Sequence, residues 1–206
     1  MKIRLFAIIF LLLFASYESK KFIEKSQDDL VSEKIKEQII VKTGDIVLKK
    51  EDNLFSDFFS IVDNSKFSDI GVILKIDNKF YVAHYDFDIE NSEFLQIEPF
   101  KSYVYFANRL AVLRYEKDID SSKLFDYLET IKNSKISFDY SFNLNTTGFY
   151  NSKFVNSVYK ELFGEDIYSY SYDFFGRDFI SINSILQNPK FRKQFDLDFT
   201  TDSKPF

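Results

Sequence analysis

The 206-residue sequence contains no cysteine and no tryptophan, one histidine, one methionine, three prolines and five glycines. Without cysteine there is no disulfide, no thiolate zinc site, no lipoprotein acylation and no thiol nucleophile. So little Gly and Pro excludes a collagen-like or linker protein. Basic residues are also short: 27 Lys and Arg against 32 Asp and Glu give a net charge of −5. With a pI near 5.1, a general nucleic-acid binder is excluded, since such proteins are basic. What is present is a 45% hydrophobic fraction, which excludes a disordered tail and suffices for one buried core. The 26 Phe and 13 Tyr, together with abundant Lys, Ile and Asn, match the codon bias of an AT-rich genome.

The first residues read as an export signal. Met1, Lys2, Ile3 and Arg4 supply a positive start, and Leu5 to Ala15 is an unbroken apolar run. That run is too short to span a bilayer as a helix and fits the apolar segment of a secretory signal. Ala15, Ser16 and Ser19 are small, but no A-x-A cleavage site stands out. The expectation is a cleaved signal over residues 1–19, with an uncleaved signal-anchor as the rival. Cleavage leaves a net charge of −6, no transmembrane span, and a periplasmic or extracellular protein.

Residues 20–41 form a charged, helix-prone segment in which Leu30, Val31, Ile35, Ile39 and Ile40 stand near helical spacing. Gly44-Asp45 opens a strand at Ile46, Val47 and Leu48, and Leu54 to Val62 reads as a short amphipathic helix. Asp69 to Ile76 and Phe80 to Ile89 predict a hairpin turning at Asp77-Asn78. Tyr103 to Phe106 and Leu110 to Tyr115 are β-rich, and Ser121-Ser122 offer a cap for a helix carrying Leu124, Phe125, Leu128 and Ile131. The spacing of Phe154, Val155, Val158, Tyr159, Leu162 and Phe163 predicts a helix from Tyr150 that Gly164 ends. Ile180 to Leu186 precede a stop at Asn188-Pro189, and residues 191–206 read as a frayed tail. The class is α+β, with one main domain over residues 42–190.

Three segments in this order carry a resemblance: Thr43-Gly44-Asp45-Ile46-Val47, then Asn64-Ser65-Lys66-Phe67-Ser68-Asp69-Ile70-Gly71-Val72-Ile73, then Tyr150-Asn151-Ser152-Lys153-Phe154-Val155. Lys79 to His84, Leu113-Arg114-Tyr115 and Phe138 to Phe142 support it. The sequence resembles the YiiX/YebB-like permuted papain-fold hydrolases, relatives of NlpC-type cell-wall peptidases. The resemblance implies a circularly permuted papain-like fold, a small antiparallel sheet packed against helices. It also implies a cysteine at the N-terminus of the Tyr150 helix, where the helix dipole lowers a thiol pKa. In this chain the family's cysteine position is Asn151, its histidine position is Asp69, and the third, orienting position is His84. A carboxamide is no nucleophile, and a carboxylate replaces the imidazole base. The resemblance therefore implies a hydrolase scaffold that has lost its chemistry.

Each candidate also has a plain structural reading. Asn151 is a good helix N-cap, and Ser152, one position on, is a poor substitute nucleophile. His84, expected opposite Asp69 in the hairpin, reads either as half of a ligand-binding Asp–His couple or as a satisfied ion pair. His84, Asp86 and Asp88 alternate on one strand face with Glu90 following; solvated alternation explains them better than a metal site. Tyr168, Tyr170, Tyr172, Phe174 and Phe175 read as core packing and a covering loop before they read as a carbohydrate, peptide or membrane surface. Asn145-Thr146-Thr147 is a glycosylation sequon only in a host that glycosylates. The expectation is an exported, non-catalytic binding protein with a ligand site at Asp69, His84, Asn151 and Ser152. It needs no cofactor or metal, and its ligand is a peptide, peptidoglycan fragment, lipid acyl group or protein. The rivals are a residual hydrolase using Ser152 or a His84-centred site, and a structural envelope protein. Nothing in the sequence assigns an oligomeric state.

Overall fold

The computed structural model describes residues 41–52, 54–85, 95–173 and 176–199, which lie in one compact unit beginning at Val41. The expected signal, the 20–40 segment, Asp86, Asp88, Glu90, Phe174 and Phe175 lie outside the described residues. Among those described, no helix is long and apolar enough to cross a membrane.

The fold is α+β. A six-stranded sheet has the order β4-β3-β2-β1-β5-β8, and every neighbouring pair is antiparallel. Its strands are β1 (Ile46–Glu51), β2 (Asp69–Ile76), β3 (Lys79–Tyr85), β4 (Leu95–Pro99), β5 (Ala107–Tyr115) and β8 (Phe191–Asp198). Between them lie α1 (Leu54–Val62), α2 (Phe100–Val104), α3 (Ser121–Ser134), α4 (Asn151–Phe163) and α5 (Ile182–Leu186). A two-residue hairpin, β6 (Tyr172–Asp173) with β7 (Asp178–Phe179), completes the described elements.

Strand alternation sorts the sheet into two faces. Ile46, Leu48, Ile70, Val72, Leu74, Ala83 and Leu113 join Phe154, Val155, Val158 and Tyr159 of α4 in the main core. Val47, Ile73, Val82 and Val112 have the opposite parity and are equally buried, on the face where α2 lies against β3 and β4. The β2–β3 turn is the expected one: Asp77 and Asn78 both have positive φ, 47° and 62°, the conformation that two-residue hairpin loops demand. Gly164, with φ of 72°, ends α4 as the spacing predicted, its N–H reaching the Lys160 carbonyl at 2.8 Å.

Four expectations need correction. Tyr103 and Val104 are helical, not extended, because Pro99 stops β4 and Phe100, Tyr103 and Val104 then bury one face of α2. Asp120, not Ser121-Ser122, caps α3, accepting from the Ser122 and Lys123 amides at 3.0 and 3.3 Å. Phe191–Asp198 is no tail: it pairs with β5 as an edge strand, and Arg109 clamps its Asp196 and Asp198 at 3.0 and 2.7 Å. Finally, the N-cap of α4 is Tyr150, leaving Asn151 as the first helical residue.

The resemblance-bearing segments interlock. Asp45 is 2% exposed and receives both arms of the Arg114 guanidinium, Nε at 2.8 Å and Nη2 at 2.7 Å. The Tyr159 hydroxyl donates to the Gly44 carbonyl at 2.5 Å, so strand β1, strand β5 and helix α4 meet at this turn. These contacts give Gly44-Asp45 and Arg114 a structural role.

Candidate functional site

The N-terminus of α4 meets the start of β2 at one end of the sheet. There the Asn151 carboxamide donates from Nδ2 to Asp69 Oδ1 at 2.8 Å. The two positions that the sequence singled out as lost nucleophile and lost base are thus in direct contact. Charge fixes the orientation: only the NH2 of a carboxamide can face a carboxylate. Asn151 spends its side chain there, and α4 has no side-chain cap because its N-cap residue is Tyr150.

Asn151 also lines a small groove of about 50 Å³, partly open to solvent. Its walls are Phe58, Phe59 and Val62 of α1, Phe142, Tyr150, Phe179 and Ile182, and its polar lining is Asp63, Ser68, Asn151 and Ser152. The Phe138–Phe149 loop brings in Phe142 through a hydrogen-bond cluster around Asp139. That carboxylate accepts from the Ser141 amide and hydroxyl and from the Asn143 amide, at 2.9, 2.5 and 3.1 Å. Burial would raise the Asp139 pKa, but these donors, with Thr146, hold it below the ordinary value. Lys153 closes the loop, donating to the Asn143 and Thr146 carbonyls at 3.0 and 2.7 Å. The α1 wall continues outward as an apolar stripe in which Leu54 is 86%, Phe58 55% and Ile61 77% exposed.

Ser152 does line the groove, but it is buried and its hydroxyl donates to the Ile180 carbonyl at 2.5 Å. Its proton therefore rests on a carbonyl that cannot act as a base. Asp63, which no sequence motif singles out, seals the groove's far side. Its carboxyl accepts the Ile182 amide at 2.8 and 2.9 Å and the Asn183 amide at 3.3 Å, at the start of α5. Burial raises its pKa to about 8, outweighing these N–H bonds, which favour the anion.

His84 is not opposite Asp69. Val72 pairs with Ala83, so the antiparallel register sets His84 beside Gly71. A Cβ added to Gly71 would meet Val82 Cγ1 at 2.5 Å, the Ala83 carbonyl at 3.0 Å and His84 Cβ at 3.2 Å; the glycine lets β3 approach closely here. His84 is 3% exposed, and its carboxylate partner is Glu98, 2.9 Å from Nε2. Neither ring nitrogen makes a well-directed hydrogen bond. The expected Asp–His couple is absent.

The same face carries Lys49, directly across the β1–β2 register from Asp69. Its ammonium lies 2.7 Å from Glu51, 3.7 Å from Asp69 Oδ2, and 4.3 Å from the centre of the Tyr103 ring. Burial alone would lower the Lys49 pKa, but the carboxylates of Asp69, Glu51 and Glu98 raise it above the ordinary value. Sequence reasoning missed Lys49 because Lys49-Lys50-Glu51 looks like a solvated charge run; only the register shows its side chain largely covered.

No family model matches the sequence, and no curated protein matches it either. Solved structures do match. The crystal structure of metalloprotein yiiX from Escherichia coli O157:H7 aligns with a TM-score of 0.61 at 17% identity, covering 74% of this chain and 95% of that one. The fold is YiiX-like. That neighbour is described as a metalloprotein, but among the described residues here no three His, Cys, Asp or Glu side chains gather to hold a metal ion. The groove has a polar end at Asn151 and an apolar body.

Proposed function

We propose that this chain is an exported, non-hydrolysing member of the YiiX/YebB-like permuted papain-fold group that uses the inherited groove to bind. The ligand is an apolar group, either an acyl chain or a large apolar side chain, carried on a peptide or cell-wall fragment. The observation that carries this reading is the 2.8 Å hydrogen bond from Asn151 to Asp69. Those two positions would hold nucleophile and base in an active relative, and here they satisfy one another. The supporting observation is the groove beside them, walled by seven apolar or aromatic residues. Apolar pockets with a few placed polar groups are the usual form of a ligand site. The basic start and apolar run of residues 1–15 support export.

Binding is tested with a series of N-acylated dipeptide amides of increasing acyl length. Amide shifts of the labelled protein are expected to move at Phe142, Asn151 and Phe179, and the Phe142→Asp variant is expected to lose the response. Shift changes that avoid these residues, or no response across the series, would overturn the reading.

A further inference from the structure

Asp69 links the groove residue Asn151 to a partly buried layer of charge on the opposite sheet face. Its Oδ1 accepts from Asn151 on the α4 side, while its Oδ2 faces the Lys49 ammonium at 3.7 Å on the other. The Lys49 ammonium lies over the Tyr103 ring, and Glu51, at 2.7 Å, competes with Asp69 for it. The Lys49 side chain is only 12% exposed, so little water competes for the charge. Cross-strand pairing with Asp69 sets this geometry, and a strand end is where one side chain can address both faces.

We infer that Lys49 is the positioning residue of the groove: from the far face of the sheet, its ammonium holds the Asp69 carboxylate turned toward Asn151. The consequence is a fixed carboxamide. With its NH2 held on Asp69, Asn151 keeps its carbonyl oxygen as the atom left to accept, and a ligand group bearing an N–H is the matching partner. This last point rests on the binding reading above; the role of Lys49 does not.

The test is made on the unliganded full chain, by following the Asn151 side-chain NH2 resonances and their exchange with water. In the wild-type protein the pair is expected to be protected relative to a free asparagine side chain. Lys49→Met keeps the apolar stem but removes the charge, and exchange at Asn151 should accelerate by about tenfold, as protection follows local opening. Lys49→Arg should restore most of the protection. Were Lys49 merely structural, Lys49→Met would lower the unfolding temperature and leave the Asn151 resonances in place, and that result overturns the inference. If Lys49→Met does not fold, Glu51→Gln serves: it frees Lys49 from its nearest competitor, and Asn151 protection should rise by about threefold. No change at Asn151 in Glu51→Gln would also overturn it. Because no ligand enters this experiment, failure of the acyl-dipeptide series leaves its outcome standing, and the reverse holds as well.

Discussion

Replacing Asn151 by Asp is the sharpest perturbation of the site, because it is nearly isosteric and turns the donor that reaches Asp69 from α4 into an acceptor. The charge-assisted hydrogen bond at 2.8 Å is lost, at a cost of about 1.5–3 kcal/mol. Two carboxylates at similar separation also repel, by roughly 4 kcal/mol at an effective dielectric near 20. The Lys49 ammonium at 3.7 Å from Asp69 softens this repulsion. Protonation of one carboxyl relieves it as well, since like charges at contact drive one pKa upward. Asn151→Asp should therefore lose about 2–5 kcal/mol of stability at pH 8. The deficit should shrink below about 1.5 kcal/mol at pH 4, where the pair holds a proton and regains a hydrogen bond. The sign follows from linkage: the variant's folded state binds a proton that its unfolded state releases, so its stability falls as pH rises. Urea unfolding at the two pH values measures both numbers. A variant within about 0.5 kcal/mol of wild type at pH 8, or a deficit that does not narrow in acid, would refute the claim that Asn151 and Asp69 form one bonded unit.

Asp63 predicts a second pH dependence. Its carboxyl ionises near 8 in the folded protein, against an ordinary 3.8. The folded state keeps a proton across that window, so this group's contribution to stability declines as pH rises from about 4 to about 8. Asp63→Asn should flatten the decline in a series of urea unfolding curves; an unchanged slope would refute it. Arg114→Ala should cost about 3–5 kcal/mol, since it strands the buried Asp45 carboxylate, and Arg114→Lys should recover only part because it lacks the paired donors. Thermal unfolding checks both variants. Asn151→Cys alone should yield no amidase or esterase activity, because Asp69 still occupies the base position; turnover by that single variant would contradict this.

The parts of the fold legible in the sequence are those specified locally. Helix α4 announces itself through Phe154, Val155, Val158 and Tyr159 at helical spacing and Gly164 at its end, and the β2–β3 turn through Asp77-Asn78. Helix α2 reads as a strand because its Tyr and Val carry β propensity, and nothing local shows that Pro99 ends one strand and redirects the chain into a helix. Strand β8 is hidden because Arg192, Lys193 and Gln194 are exposed on a sheet edge, and its pairing with β5 is a long-range contact. Within the site, the segments resembling permuted papain-like hydrolases identify Asn151 and Asp69, and the structure brings those two together. They misplace His84, because the hairpin register sets it beside Gly71 and hands it Glu98 as partner. Lys49 and Asp63 cannot be found from local pattern. Each is a charged residue in a polar run, and its burial comes from elements distant in sequence, β2 for Lys49 and the start of α5 for Asp63.

The central claim is a groove that holds a ligand without cutting it. The most direct measurement is a prolonged NMR time course of the wild-type chain with the N-acylated dipeptide amides and the matching esters. Intact ligand signals throughout, alongside shift changes at the groove residues, are the predicted result. Product signals that accumulate with the wild-type protein and vanish with Asp69→Ala would contradict it.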